Sequence, residues 1–199
     1  MIPKIKICGL MKREDILTVN EVKPEYIGFM FYAKSKRYIT TDTAKEFYKL
    51  LDRSIKAVGV FVDMPASEVA KIAEEGIIDI VQLHGHETDE YIKELKGLMS
   101  LPVIKAFSVR GPESIDEANR SSADMVLLDS GSGGTGTSFN WDLIKAVKRD
   151  YFLAGGLDPD NAKEAAKLGA YALDVSSGVE TEGLKDADKI RCFVREVRG

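Results

Sequence analysis

Short apolar runs alternate with amphipathic stretches along the whole chain. The runs predict strands over residues 4–8, 26–30, 56–62, 78–83, 103–107, 125–128, 151–153 and 172–175. Between them the spacing predicts helices over 12–22, 43–51, 66–75, 89–98, 113–121, 141–148, 159–168 and 186–197. In the last helix Ile190, Phe193, Val194 and Val197 recur at helical spacing. Pro65 and Pro159 fall where helices should begin, a position at which proline's missing N–H costs nothing. Strand followed by helix, repeated, implies a parallel sheet with right-handed crossovers. Eight such units predict an α/β fold of the closed (β/α)8 TIM-barrel type rather than an open doubly wound sheet. At 199 residues the chain is short for a barrel, so loops and helices must be tight. No linker or low-complexity tract interrupts it, and residues 1–199 are expected to form a single barrel domain.

Composition narrows the function classes. Hydrophobic residues make up 44% of the chain, ordinary for a globular protein, and the formal net charge is -4. That balance gives no electrostatic case for binding nucleic acid or an anionic membrane. No apolar run approaches the ~18 residues of a membrane span, and the N-terminus lacks the apolar stretch of a secretory signal. The two cysteines, far apart in sequence, make no disulfide framework. The expectation is a cytoplasmic protein with free thiols.

Three glycine-bearing loops follow strand ends in the last third: Asp129-Ser130-Gly131-Ser132-Gly133-Gly134-Thr135-Gly136, Ala154-Gly155-Gly156-Leu157 and Asp174-Val175-Ser176-Ser177-Gly178. Glycine lets backbone N–H groups approach an anion closely, and a short helix starting near Ser177 would add its positive end. Together the loops point to one shared phosphate-bearing ligand. Taken singly, each is an ordinary tight turn.

In barrels of this type chemistry collects at the C-terminal ends of the strands. Cys8 ends the first. Alternation puts Lys4, Lys6 and Cys8 on the barrel face, with Ile5 and Ile7 packed outward. An ammonium beside a thiol favours the thiolate, a usable base; the other reading is a small buried filler. Cys192, inside the last helix, reads as packing. Asp129 ends the sixth strand and serves as a proton donor or as a cap for the next turn. Arg37, in the loop after strand two, can hold a carboxylate or phosphate bidentately, or belong to a solvated basic loop. His84 can stack on an aromatic ligand or donate a hydrogen bond. His84 and His86 lack a third ligand at metal spacing. Asp174 orients a ligand hydroxyl or closes its loop.

These pieces resemble the phosphoribosylanthranilate isomerase family of tryptophan biosynthesis. The matching segments are Lys6-Ile7-Cys8-Gly9, Ser35-Lys36-Arg37, Gly59-Val60-Phe61-Val62, Val81-Gln82-Leu83-His84-Gly85, Asp129 with Gly133-Gly134-Thr135-Gly136, Phe139-Asn140-Trp141, Leu153-Ala154-Gly155-Gly156-Leu157 and Asp174-Val175-Ser176-Ser177-Gly178-Val179-Glu180. They run in family order over nearly the whole chain. Asn140 departs from an aspartate at a helix start. The resemblance implies an Amadori rearrangement with Cys8 as general base and Asp129 as general acid. It implies Arg37 near the anthranilate. His84 and Asp174 are expected as further substrate contacts. It also implies phosphate at Gly134, Gly155, Gly156, Ser176, Ser177 and Gly178. No cofactor and no metal are expected. The expected partner is a small phosphorylated substrate, with no nucleic acid or membrane, and the expected state a monomer or homodimer. Two competing readings are a histidine-pathway sugar isomerase, which would pair two aspartates, and a phosphometabolite-binding module that performs no chemistry.

Overall fold

The computed structural model describes residues 2–129 and 141–199. Eight parallel strands close a barrel in sequence order, β1 pairing with both β2 and β8. They are β1 (Lys4–Cys8), β2 (Tyr26–Met30), β3 (Lys56–Phe61), β4 (Ile80–Leu83), β5 (Val103–Ser108), β6 (Met125–Asp129), β7 (Tyr151–Ala154) and β8 (Ala172–Val175). The helices outside are α1 (Arg13–Val22), α2 (Thr41–Leu50), α3 (Ala66–Glu74), α4 (Asp89–Leu98), α5 (Pro112–Arg120), α6 (Ala162–Ala165) and α7 (Ala187–Arg198).

The pleat sorts side chains into two cores. Ile5 and Ile7 of β1, fully buried, pack outward with Ile27 and Phe29 against the helices, each worth about 1.5–3 kcal/mol of burial. Inside, Cys8, Val60, Ile104, Leu127 and Phe152 fill the barrel. Lys6, Gln82 and Asp174 form a buried polar group among the interior positions. At the opposite end, carboxylates just before β2, β4 and β6 hold amides in the first two residues of β1, β3 and β5. Ile5 N donates to Glu25 (2.8 Å), Ala57 N to Asp79 (2.9 Å) and Val103 N to Asp124 (2.8 Å).

Two predicted helices are shorter than their periodicity suggested. Residues 141–148 form a 3-10 helix over Trp141–Ala146, and 159–168 reduce to α6 followed by a 3-10 turn over Ala166–Leu168. Pro159 does not open α6. The Asp158 carboxylate accepts Asp160 N (2.9 Å) and Asn161 N (3.0 Å), so a side-chain turn occupies the residues before it. Strand β4 begins at Ile80 rather than Ile78, because Asp79 is bound to β3. Cys192 is half-buried on α7, beside Arg195 Nη2 at 3.2 Å, rather than in the core.

After β8 comes a hairpin that the apolar pattern did not announce, β9 (Glu180–Thr181) and β10 (Leu184–Lys185). Its two-residue turn has Glu182 and Gly183 at φ 53° and 79°, as a type I′ turn requires. Glutamate is a poor occupant of left-handed backbone, whereas asparagine tolerates it. Glu182→Asn is therefore expected to stabilise the fold by about 0.5–1 kcal/mol, read as a higher urea midpoint with kcat unchanged.

Candidate active site

The C-terminal strand ends surround a cavity of about 400 Å³. Cys8, Arg37, His84, Asp129 and Asp174 all line it, as do Gly155, Gly156, Ser176 and Ser177. Of the remaining expected phosphate ligands, Gly178 does not line the cavity, and Gly134 lies outside the described residues, with the rest of the loop 130–140.

Cys8 reaches the cavity because glycines make room for it. It pairs in register with Gly28 of β2, where a Cβ would stand 2.6 Å from Cys8 Sγ. Next to it, Gly9 adopts φ 81°, and a Cβ there would overlap the Arg37 side chain. Lys6 lies beneath, fully buried, with Nζ 2.8 Å from Asp174 Oδ2. Burial opposes the Lys6 charge, yet Asp174 and Cys8 together hold its pKa above the usual lysine value. Burial also pushes the Asp174 carboxyl up, with Lys6 only partly offsetting it. The second Asp174 oxygen, Oδ1, is buried without a hydrogen-bond partner among the described residues.

The expectation of a favoured Cys8 thiolate needs correction. Burial pushes the thiol up, and it outweighs the pull of Lys6; Asp174 adds to the rise. The resting group is the thiol. A base acts deprotonated, so activity that depends on it should increase as pH rises toward the elevated pKa. We expect kcat/KM to climb from pH 7 to 9, by up to about tenfold per unit while the thiol predominates. A flat profile over that range would show that the working base titrates below neutrality.

Across the barrel, Asp129 Oδ2 is 3.3 Å from His84 Nε2. Gln82 Nε2 lies 2.9 Å from His84 Nδ1. With the Gln82 amide as donor, the imidazole proton sits on Nε2, facing Asp129. The backbone behind His84 is clipped by groups that sequence reasoning missed. Lys105 Nζ donates to Gly85 O (2.7 Å) and pairs with Glu87 (3.1 Å). Glu87 accepts Asp63 N and Gly85 N, both at 2.9 Å. Their spacing carries no motif, and only the fold brings the loops after β3 and β4 against Lys105 of β5.

At the other rim Arg37 is not a solvated loop charge. Its Nε and Nη2 donate to the two Glu180 oxygens at 2.6 and 2.8 Å, and this contact raises its pKa. Burial alone would raise Glu180, but Arg37 and Lys185 hold it below the ordinary carboxylate range. Lys185, its side chain 0% exposed, stands 2.5 Å from Glu180 Oε1 and 3.0 Å from Ser176 O. Glu180 entered the sequence reading only as part of a motif, and Lys185 not at all.

The β7 and β8 loops meet tightly. Gly155 and Gly156 take φ 88° and 67°, and a Cβ on Gly178 would overlap the Leu157 carbonyl. Ser176 Oγ donates to Cys8 O at 3.0 Å. Among the described residues, the N–H groups of Gly155, Gly156, Ser177 and Gly178 donate to no acceptor outside regular secondary structure. They are the unspent donors an anion needs.

Comparison with known proteins agrees with this geometry. The family model described as N-(5'phosphoribosyl)anthranilate (PRA) isomerase matches residues 5–196. The N-(5'-phosphoribosyl)anthranilate isomerase of Endomicrobium trichonymphae is 48% identical over 201 residues, covering 98% of each chain. The crystal structure of the Thermus thermophilus phosphoribosyl anthranilate isomerase superposes with a TM-score of 0.90 at 34% identity, covering 98% of each chain. A further phosphoribosyl anthranilate isomerase, solved in complex with reduced 1-(o-carboxyphenylamino)-1-deoxyribulose 5-phosphate, gives 0.86 at 33% identity, covering 99% of each chain. With a family match over nearly its whole length and the same barrel, this chain belongs to the N-(5'-phosphoribosyl)anthranilate isomerase family.

Proposed function

We infer that this chain catalyses the Amadori rearrangement of N-(5'-phosphoribosyl)anthranilate to 1-(o-carboxyphenylamino)-1-deoxyribulose 5-phosphate in tryptophan biosynthesis. The observation that carries this reading is that Cys8 and Asp129, on β1 and β6, line one cavity between Arg37 and the β7–β8 loops. Asp129 delivers a proton to the furanose oxygen while the nitrogen lone pair opens the ring to an imine. The imine acidifies the C2 proton, which Cys8 removes. Return of a proton to C1, with loss of the C2 hydroxyl proton, converts the resulting enaminol to the ketone. Each transfer is worth ~10²–10⁴-fold, and none calls for a metal or electron sink. Phosphate is held by the amides of Gly155, Gly156, Ser177 and Gly178, with the Gly134 loop a further contributor. Arg37 faces the anthranilate carboxylate, and His84 orients Asp129. Asp174 holds Lys6 beneath the base.

The net charge of -4 supports a small-molecule partner rather than nucleic acid or membrane. No helix among the described residues is long and apolar enough to cross a membrane. The fuller reading is a cytoplasmic enzyme, one barrel domain over 1–199, acting as a monomer or homodimer. The deciding experiment is fluorescence-monitored turnover of freshly generated phosphoribosylanthranilate by the purified chain. Loss of substrate fluorescence in proportion to enzyme is expected; a rate equal to spontaneous decay rejects the activity.

Arg37→Ala separates recognition from chemistry. A charge-assisted contact contributes about 1.5–3 kcal/mol, so affinity for the carboxylate-bearing product should fall by about 10–150-fold. KM should rise more than kcat falls. Inorganic phosphate affinity should not change; an equal loss of both in calorimetry would move Arg37 to the phosphate end.

A further inference from the structure

The hairpin that follows β8 sets two buried charges behind Arg37. Its two-residue turn at Glu182 and Gly183 fixes the register in which Lys185 lies opposite Glu180. Residues directly opposed in an antiparallel pair share a face. Both therefore reach the same guanidinium from below, Glu180 by two hydrogen bonds and Lys185 through Glu180. Lys189 of α7 ties the hairpin down by donating to Glu180 O at 2.8 Å.

Burying an ammonium completely is costly, so the role of Lys185 needs a reason. Arg37 and Glu180 alone make a neutral pair. A neutral pair offers an incoming carboxylate little net attraction. With Lys185 the three groups sum to one positive charge. Glu180, bound to Nε and Nη2, also fixes the plane of the guanidinium, and Nη1 has no hydrogen-bond partner among the described residues.

We propose that Arg37, Glu180 and Lys185 act as one cationic unit that reads the carboxylate of the substrate's aromatic ring, with Glu180 and Lys185 as positioning residues. Glu180 sets the direction of the guanidinium, and Lys185 supplies the charge that Glu180 cancels. The inference rests on the reading of Arg37 as the carboxylate ligand.

The test uses calorimetry with two probes, the reduced product carrying its ring carboxylate and its counterpart lacking that carboxylate. Lys185→Met should weaken binding of the first by about tenfold or more and leave the second unchanged. The double variant Glu180→Gln with Lys185→Met returns the unit to one positive charge and leaves no buried charge of the unit unpaired. It should bind the carboxylated probe more tightly than Lys185→Met alone. Where Lys185→Met fails to fold, the comparison is made on the Glu180→Gln background, where adding Lys185→Met should again weaken only the carboxylated probe. Equal weakening of both probes, or no weakening of either, rejects the role of Lys185. If Arg37→Ala itself fails to discriminate the probes, the reading of Arg37 is what has failed. If Arg37→Ala discriminates and the Lys185 variants do not, only the present proposal falls.

Discussion

Asp129→Asn is expected to lower kcat by on the order of 10²–10⁴-fold while leaving affinity for the reduced product nearly intact. Asparagine keeps the shape of the side chain and can still meet His84 Nε2, which faces the carboxylate at 3.3 Å. What it lacks is a proton to give. Opening the furanose without protonating its ring oxygen expels an alkoxide, and the other carboxyl lining the cavity, Asp174, is paired with Lys6 at 2.8 Å. Single-turnover measurements isolate the chemical step from release. A variant within a fewfold of wild type would reduce Asp129 to a cap on the loop that follows.

Cys8→Ser should be of similar severity, a fall in kcat of about 10²-fold or more. The alcohol fits the space that Gly28 leaves for sulfur, so the fold should be preserved. Its proton is far harder to remove than that of a thiol, and burial makes the anion costlier still. The two variants differ in how pH affects what remains. The rising alkaline limb assigned to Cys8 should vanish in Cys8→Ser and persist in Asp129→Asn. Persistence in both would assign the limb to a group other than Cys8.

Most of the barrel was legible in the sequence because its signals are local. β1 shows how far this reaches. Alternation in five residues placed Lys6 and Cys8 inside and Ile5 and Ile7 outside, as observed. What failed had longer-range causes. The Cys8 thiolate was inferred from a lysine two residues away, whereas burial pushes the thiol up by more than Lys6 pulls it down, and Asp174, 166 residues onward in the chain, adds to the rise. The segment after Asp158 carries helical spacing, yet a side-chain turn consumes its first residues. Arg37 was found as a candidate, but its partner lies 143 residues onward, beyond any periodicity argument. Gly28 gave no sign of its purpose, since glycine in a strand becomes informative only when its neighbour in register is known.

The joint between β1 and β8 has a consequence for the order in which the enzyme comes into being. Lys6 meets Asp174, and Ser176 meets the Cys8 carbonyl, each across 168 residues of chain. Contacts of that separation form late, since much of the intervening chain must be ordered before they are rewarded. During synthesis, Cys8 emerges among the first residues and waits for nearly all the rest. Until β8 docks, Lys6 lacks the Asp174 counter-charge beneath Cys8. Partial barrels ending before β8 therefore carry Cys8 without the surroundings it has in the finished fold. Competence and completion of the fold arrive in one event.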